Sequence, residues 1–337
     1  MSNSRHSKHF LMILIHQTST EPYFNIAAEE YLLKNFSEDI FILYRNEPSI
    51  IIGKHQNTLA EINLNFVRRK QLKVIRRLSG GGTVYHDLGN LNYTFITNGS
   101  VGNLVNFKKF TQPIVDVLQG LGVDATLSGK NDIRIGDKKI SGNAEHIYKS
   151  RTLHHGTLLF SSNLDALNEA IKIDLNAYSD NAVKSIQSHV ANLSDYVKGS
   201  ITIDELADLI VNHIKGIYPN SHRYQLTSDN ITAIKLLVDT KYSTWEWNFA
   251  YSPRYTLSKQ IPFGENILKI YINVERGIIS QIKFEGNSLN RNKLSELEQI
   301  LTGCPHDAGE IERKLMAVRI DECLPNIPID KLLAGLL

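Results

Sequence analysis

Apolar residues recur along most of this chain at helical or strand spacing, and no stretch is of low complexity. After Ser19-Thr20-Glu21-Pro22, the residues Phe24, Ala27, Ala28 and Tyr31 share one face at helical spacing, which predicts a helix over 24–31. Residues 40–44 and 49–52 read as buried strands parted by Asn46-Glu47-Pro48. Residues 72–77 form a further strand leading into Gly80-Gly81-Gly82. Leu91, Tyr93 and Phe95 alternate with Asn92 and Thr94, the pattern of a half-buried strand. Phe107, Phe110, Ile114, Val117 and Leu121 mark a long amphipathic helix. Ile133, Ile135, Gly136-Asp137 and Lys138-Lys139-Ile140 predict a hairpin, its glycine supplying the positive φ of a tight turn. A strand over 153–160 follows, then a helix carrying Leu164, Leu167 and Ile171. Thr202 and Glu205 form a capping box ahead of Leu206, Leu209, Ile210 and Ile214, and Gly216 and Pro219 end that helix.

The pattern changes at Tyr242-Ser243-Thr244-Trp245-Glu246-Trp247-Asn248-Phe249, which holds both tryptophans. Beyond it, Ile270, Ile272 and Val274 run through Glu275-Arg276-Gly277 and return as Ile278, Ser280, Ile282 and Phe284, a strand hairpin. Helices follow with Leu294, Leu297 and Leu301, then Ile311, Leu315 and Val318. That set has the size of a small α+β domain, so the division is placed at 1–250 and 251–337.

Composition narrows the classes of function. The 337 residues include 37 Lys and Arg against 35 Asp and Glu, a formal charge of +2, which argues against a chain that coats nucleic acid. Arg68, Arg69, Lys70, Lys73, Arg76 and Arg77 crowd together without an acid, yet no aromatic interleaves them to stack a base. Two cysteines, Cys304 and Cys323, are too few for a disulfide framework or a four-cysteine zinc site, and a reducing compartment is the simpler reading. The apolar run 10–15 is far short of the roughly 20 residues of a membrane span. Residues 2–17 carry Arg5, Lys8 and three histidines but no acid, a faint likeness to a transit peptide that their brevity and scarcity of arginine disfavour.

Chemistry concentrates in four segments. Arg76-Arg77-Leu78-Ser79-Gly80-Gly81-Gly82-Thr83-Val84-Tyr85-His86-Asp87-Leu88-Gly89-Asn90 combines a backbone that a ligand can approach with fixed positive charge. Such a loop can aim amides at phosphate, but it lacks the Walker A lysine and the dinucleotide spacing, and a flexible turn between strands is the plain alternative. Ser128-Gly129-Lys130-Asn131-Asp132 precedes a hairpin whose returning strand bears Lys138 and Lys139; adjacent strand residues face opposite sides, so only one of the two can enter a site. An ordinary basic surface hairpin is the competing reading. His154-His155-Gly156-Thr157-Leu158 places two histidines on diverging sides of a strand, a poor metal pair, and one can face a pocket beside Gly156. Tyr44-Arg45-Asn46 and Gly53-Lys54-His55-Gln56-Asn57 put polar groups at strand ends, where they orient a ligand or merely make turns.

Together these blocks resemble the lipoate-protein ligase A family. The 76–90 block agrees with that family's Arg-Arg-x-Ser-Gly-Gly-Gly-x-Val-x-His-Asp-x-Gly-Asn at every fixed position, and Ser128–Asp132, Lys139-Ile140-Ser141-Gly142 and His154–Leu159 follow in order. The likeness extends through Trp245-Glu246-Trp247-Asn248-Phe249 to Asn287-Ser288-Leu289-Asn290, as in the bacterial two-domain form. It implies an α+β fold: a mixed-sheet catalytic domain related to biotin-protein ligases, plus a small α+β C-terminal domain. It implies that lipoate and ATP, with Mg²⁺, give lipoyl-AMP, whose lipoyl group passes to a lysine of an acceptor. The expected acceptors are lipoyl domains of 2-oxoacid dehydrogenase E2 subunits and the glycine cleavage H protein, in the cytoplasm, with no nucleic acid or membrane partner. By the same likeness Lys139 is catalytic. Arg77, Gly82, Thr83, Val84, Tyr85 and Lys139 would hold ATP or the adenylate, and Gly80, Gly81, Asn131, Asp132, Ser141, Gly142, His155 and Gly156 would join Arg77 and Lys139 around the substrate. No metal ligands are implied. Departures include Leu78 where some relatives have Ser, and Glu145-His146 where some have Tyr-Arg. A cysteine-dependent acyl transferase is disfavoured because residues 1–303 lack cysteine. A transferase using preformed lipoyl-AMP and a non-catalytic sensor are the remaining rivals; the retained Lys139 speaks against the sensor.

Overall fold

A computed structural model describes residues 11–99, 104–129, 131–171, 177–263, 266–286, 289–324 and 327–337. Lys130, Asn287 and Ser288, part of the motifs above, lie outside the described residues. In chain order the elements are β1 (Met12–His16), α1 (Pro22–Asn35), β2 (Asp39–Tyr44), β3 (Ser49–Ile52), α2 (Thr58–Glu61), α3 (Leu64–Lys70), β4 (Lys73–Arg76), β5 (Val84–His86), β6 (Asn90–Asn98), α4 (Phe107–Gly120), β7 (Ala125–Ser128), β8 (Asp132–Ile135), β9 (Lys138–Tyr148), β10 (Arg151–Leu159), α5 (Leu164–Ala170) and β11 (Tyr178–Asp180). They continue as α6 (Ile203–Ile217), β12 (His222–Arg223), α7 (Ser228–Leu237), β13 (Tyr255–Phe263), β14 (Asn266–Glu275), β15 (Ile278–Glu285), α8 (Arg291–Leu301), α9 (Ala308–Met316), α10 (Ile320–Cys323) and α11 (Ile329–Leu336).

The chain forms two compact units, each gathered from three stretches. The first holds 1–54, 71–169 and 186–243; the second holds 55–70, 170–185 and 244–337. This spatial grouping and a cut in chain order at residue 250 are different partitions, because the second unit also recruits α2, α3 and β11.

In the first unit a mixed sheet runs β12-β1-β2-β6-β10-β9-β8-β7. β1 is parallel to both its neighbours, while the pairs from β2 onward are antiparallel. One face packs Met12, Leu14, Phe41, Leu43, Tyr93 and Phe95 under the apolar stripes of α4 and α6. The stripe of α6 starts where the capping box places it, with the Glu205 amide donating to the Thr202 hydroxyl at 3.1 Å. The other face meets α1, which begins at Pro22 with the Glu21 carboxylate accepting from the Phe24 amide at 2.6 Å. Coverage on both sides explains why β6 is buried almost throughout instead of half-buried: Asn92 and Thr94 are enclosed as fully as Tyr93 and Phe95. The strands 40–44 and 49–52 part company, since β2 joins the large sheet and β3 lies between β4 and β5 in a small one.

The second unit is a β11-β13-β14-β15 sheet. Leu268, Ile270, Ile272 and Val274 turn one face inward against helices α8, α9 and α11, and alternate with exposed Lys269 and Tyr271. The hairpin at Gly277 is present, and β13 and α11 add to the elements expected there. Among the described residues no helix is long and apolar enough to cross a membrane.

The Phe95 ring lies 4.7 Å from Phe41 and 5.4 Å from Phe110, between the sheet and α4. Phe95→Ala is expected to destabilise the first unit by about 3–5 kcal/mol, read as a lower urea midpoint.

Candidate active site

The glycine loop is shaped by a buried arginine. β4 delivers Arg76 and Arg77, and their guanidiniums separate at once. Arg76, 0% exposed, donates to the Gly53 carbonyl at 3.0 Å and closes the end of β3. Arg77 donates from Nε to the Ser79 hydroxyl at 2.9 Å, from one terminal nitrogen to the Ile51 carbonyl at 3.1 Å, and from the other to Gly80 and Gly82 at 2.6 and 2.8 Å. Burial lowers its pKa to about 10, against the pull of Glu29. The guanidinium expected to hold phosphate is therefore engaged with its own loop. Carbonyl and amide of a trans peptide point oppositely. With the Gly80 and Gly82 carbonyls turned onto Arg77, the amides of Gly81 and Thr83 point away from it. Gly81 has φ +87°, and a Cβ there would lie 3.2 Å from the guanidinium.

Ser79 continues the network. Its hydroxyl lies 2.6 Å from His155 Nε2, and His155 Nδ1 lies 2.9 Å from Glu29 Oε2. The other Glu29 oxygen accepts from the Tyr44 and Thr94 hydroxyls. Burial pushes the Glu29 carboxyl up, but His155 and the two hydroxyls outweigh it and leave the pKa lowered. Helix α1, strand β10 and the glycine loop are thus bound in one hydrogen-bonded chain. Glu29 had no motif to announce it; its one signal is an acid beside the apolar residues of a helix that packs on a sheet.

Lys139 reaches its place through a fault in the ladder. Asp132 pairs with Gly142 and Ile133 with Ser141, then the register shifts and Arg134 pairs with Lys139. Ile140 and Ser141 both turn into the core, 0% and 1% exposed, and Lys139 emerges on the face of Gly142. The ammonium lies 2.8 Å from Asp132 Oδ1, and a Cβ on Gly142 would come within 3.1 Å of it. Between the two candidate lysines, Lys139 is the one so placed; no ion pair involves Lys138 among the described residues. Ala144 shares the Gly142 face and stands opposite His155, and the Gly142 amide donates to the Thr157 hydroxyl at 3.3 Å. Lys139, Gly142 and His155, with the glycine loop tied to His155, therefore occupy one face of the large sheet.

Other expected residues serve the opposite face or the frame. The Ser141 hydroxyl accepts from Asn143 Nδ2 at 3.2 Å inside the core, so it is turned away from Lys139. Asn131 holds β9 through the Asn143 backbone at 3.0 and 2.9 Å. Gly156 is demanded by packing: a Cβ would meet Asn143 Oδ1 at 2.2 Å and the end of Tyr93 at 2.4 Å. His154 diverges from His155 into an aromatic surround of Phe107, Phe110 and Tyr93, and bonds Glu145 at 2.9 Å. That accounts for Glu145; the pKa of its neighbour His146 is lowered, chiefly by burial and then by Lys54. Val84 pairs with Ile51, and Tyr85, 5% exposed, with Ile50 in the small sheet. Thr83 is buried at the loop's end. Arg45 pairs with Asp204 at the surface. Gln56 and Asn57 belong to the second unit, where they bond Ser185 and Asp180.

His86 sits behind the loop with Asn46 Nδ2 3.0 Å from its Nδ1. Burial first, then Arg77 and His155, push its pKa down to about 3. Between its ordinary value near 6.5 and that value, the unfolded chain binds the proton and the folded chain does not. Stability is full above the window and falls as pH drops through it. His86→Gln is expected to flatten the fall in urea-unfolding free energy between those two pH values.

Comparison with known proteins gives consistent matches. A family model described as the lipoyl protein ligase A/B catalytic domain matches residues 21–215, and one described as the bacterial lipoate protein ligase C-terminus matches residues 252–336. The chain is 41% identical to lipoate–protein ligase 1 of Staphylococcus aureus over 298 residues, 88% of this chain and 90% of that protein. A structure of lipoate-protein ligase A bound with ATP superposes with TM-score 0.60 at 27% identity, covering 71% of this chain and 98% of the other. A bipartite lipoate protein ligase of Thermoplasma acidophilum, studied with its E2 lipoyl domain, gives TM-score 0.62 at 27% identity over 72% of this chain and 97% of its own.

Proposed function

The chain belongs to the lipoate-protein ligase family, and we infer that it activates lipoate with ATP and transfers the lipoyl group to a lysine of an acceptor domain. In the first step a lipoate carboxylate oxygen bonds to the α-phosphorus of ATP and the bond to pyrophosphate breaks. In the second, a neutral acceptor amine bonds to the acyl carbon, AMP leaves, and the amine gives up a proton.

The observation that carries the reading is the Lys139 ammonium beside Gly142, on the sheet face that also bears the glycine loop. A carboxylate and a polyphosphate repel, and a fixed cation between them lowers the barrier to their union. Gly142 leaves room for that cation to meet a ligand. The Gly81 amide, turned from Arg77, suits an anion. Arg77 acts through the loop it shapes, and Asn131, Ser141 and Gly156 act through the strands they hold. Asp132 bears on the substrate through Lys139, and His155 through Ser79.

Mg²⁺ enters with ATP as part of the substrate. It favours phosphate, water and one or two carboxylates over a protein cage, and among the described residues no group of three His, Cys, Asp or Glu makes such a cage. Lipoyl domains of 2-oxoacid dehydrogenase E2 subunits and the glycine cleavage H protein are the acceptors we propose; the archaeal relative's E2 lipoyl domain supports the first. We keep 1–250 as the catalytic stretch and 251–337 as accessory, in the order the two family matches follow. A cytoplasmic location accords with the low cysteine count.

Protein mixed with lipoate, Mg·ATP and an apo acceptor domain is expected to add one lipoyl mass to the acceptor only when ATP is present. Gain from preformed lipoyl-AMP alone would reject the activation step. Lys139→Ala should slow pyrophosphate release about 100-fold or more while leaving the circular dichroism unchanged; release at the wild-type rate would reject the role of that ammonium.

A further inference from the structure

We propose that Arg134 is a positioning residue that keeps Lys139 available to an incoming anion by sharing the carboxylate that would otherwise hold it. Asp132 and Arg134 lie two apart on β8, on one face, and the register shift sets Lys139 opposite Arg134. The Asp132 carboxylate bridges the two cations: Oδ1 lies 2.8 Å from the Lys139 ammonium and Oδ2 lies 3.0 Å from the Arg134 guanidinium. Arg134 is also fixed at the hairpin turn, donating to the Asp137 carbonyl at 2.9 Å. All three side chains are partly buried, 16–26% exposed, so their interactions are not fully screened.

The charge count decides what the cluster can do. Lys139 with Asp132 alone is a neutral pair, and an arriving carboxylate or phosphate must compete with a carboxylate already in place. Adding Arg134 makes the cluster +1. It occupies one carboxylate oxygen and sets a like charge across the strand pair from Lys139, which weakens the grip of Asp132 on the ammonium. Asp132 then fixes where the ammonium lies without trapping it. No role for Arg134 follows from the motifs, because it falls between Asp132 and Lys139 at a position none of them specifies.

This deepens the ligase reading and rests on it for one of two readouts. The first needs no activity: Lys139 acetylation by trace acetic anhydride, followed by peptide mass spectrometry on the intact chain without substrates. The reagent attacks only the free amine, so Arg134→Leu is expected to slow labelling, and the double variant Arg134→Leu/Asp132→Asn to restore it. The second is ATP–pyrophosphate exchange. Arg134→Leu is expected to raise KM for ATP about tenfold with a smaller effect on kcat, Arg134→Lys to stay near wild type, and the double variant to recover relative to Arg134→Leu. If Arg134→Leu does not fold by circular dichroism, Arg134→Gln removes the charge in its place. Wild-type labelling in the charge-removing variant, or no recovery in the double variant, would overturn the proposal. Absence of exchange in the wild type would overturn the ligase reading, and the labelling comparison would still judge Arg134.

Discussion

The register shift between β8 and β9 resolves a conflict between hydrophobic burial and charge. Uninterrupted alternation from Gly142 would put Ile140 on the Gly142 face and Lys139 in the core. Exposing the isoleucine forfeits about 1.5–3 kcal/mol, and burying an ammonium without a partner costs several kcal/mol more. A bulge costs one place in the ladder and removes both penalties. Ile140 stays in the core cluster, and Lys139 turns out to meet Asp132. The position of the Lys139 ammonium is thus dictated by where an apolar neighbour must go.

A second constraint rigidifies the glycine loop on the same face of the sheet. Arg77 and Glu29 are both enclosed, and each is tolerated because hydrogen bonds nearly saturate it. Between them, Ser79 and His155 complete a path from α1 through β10 to the glycines. Three consecutive glycines would ordinarily be the most mobile part of a site, since glycine loses most entropy on ordering. Here that cost is met by a guanidinium bonded to two of their carbonyls. The amides are therefore oriented before any ligand arrives, and a preorganised dipole needs no rearrangement during reaction.

Much of this was legible from residue pattern. The helix at α1, the strands β2, β3, β4 and β6, the β8–β9 hairpin and the α6 capping box follow from periodicity, glycine and capping chemistry. The resemblance supplied the family and the proposal for Lys139. Pattern failed where tertiary context overrode it. Thr94 and Asn92 looked solvent-facing because strand alternation cannot reveal a helix packed on the far side. β13 was hidden because Lys259 interrupts the sequence Tyr255, Leu257, Ile261. The choice between Lys138 and Lys139 needed the bulge, which sequence spacing does not display. That the Arg77 guanidinium bonds its own loop was likewise not visible, because a motif lists residue types and not the direction in which a guanidinium points.

The adjacent histidines show why the site's motifs mix structural and chemical demands. On one face of β10, His154 joins Glu145, Asn143 and Tyr93 in the core, and Gly156 is small because Tyr93 and Asn143 fill the space beside it. On the other face His155 fixes Ser79 and the loop. Asn143 also binds the Asn131 carbonyl through both its backbone and its side chain, locking β8 to β9 three residues from the bulge. A disturbance in that buried network would slip the strands and carry Lys139 with them. Core packing on one face and charge placement on the other are one mechanical unit, so selection for either holds both sets of residues in place.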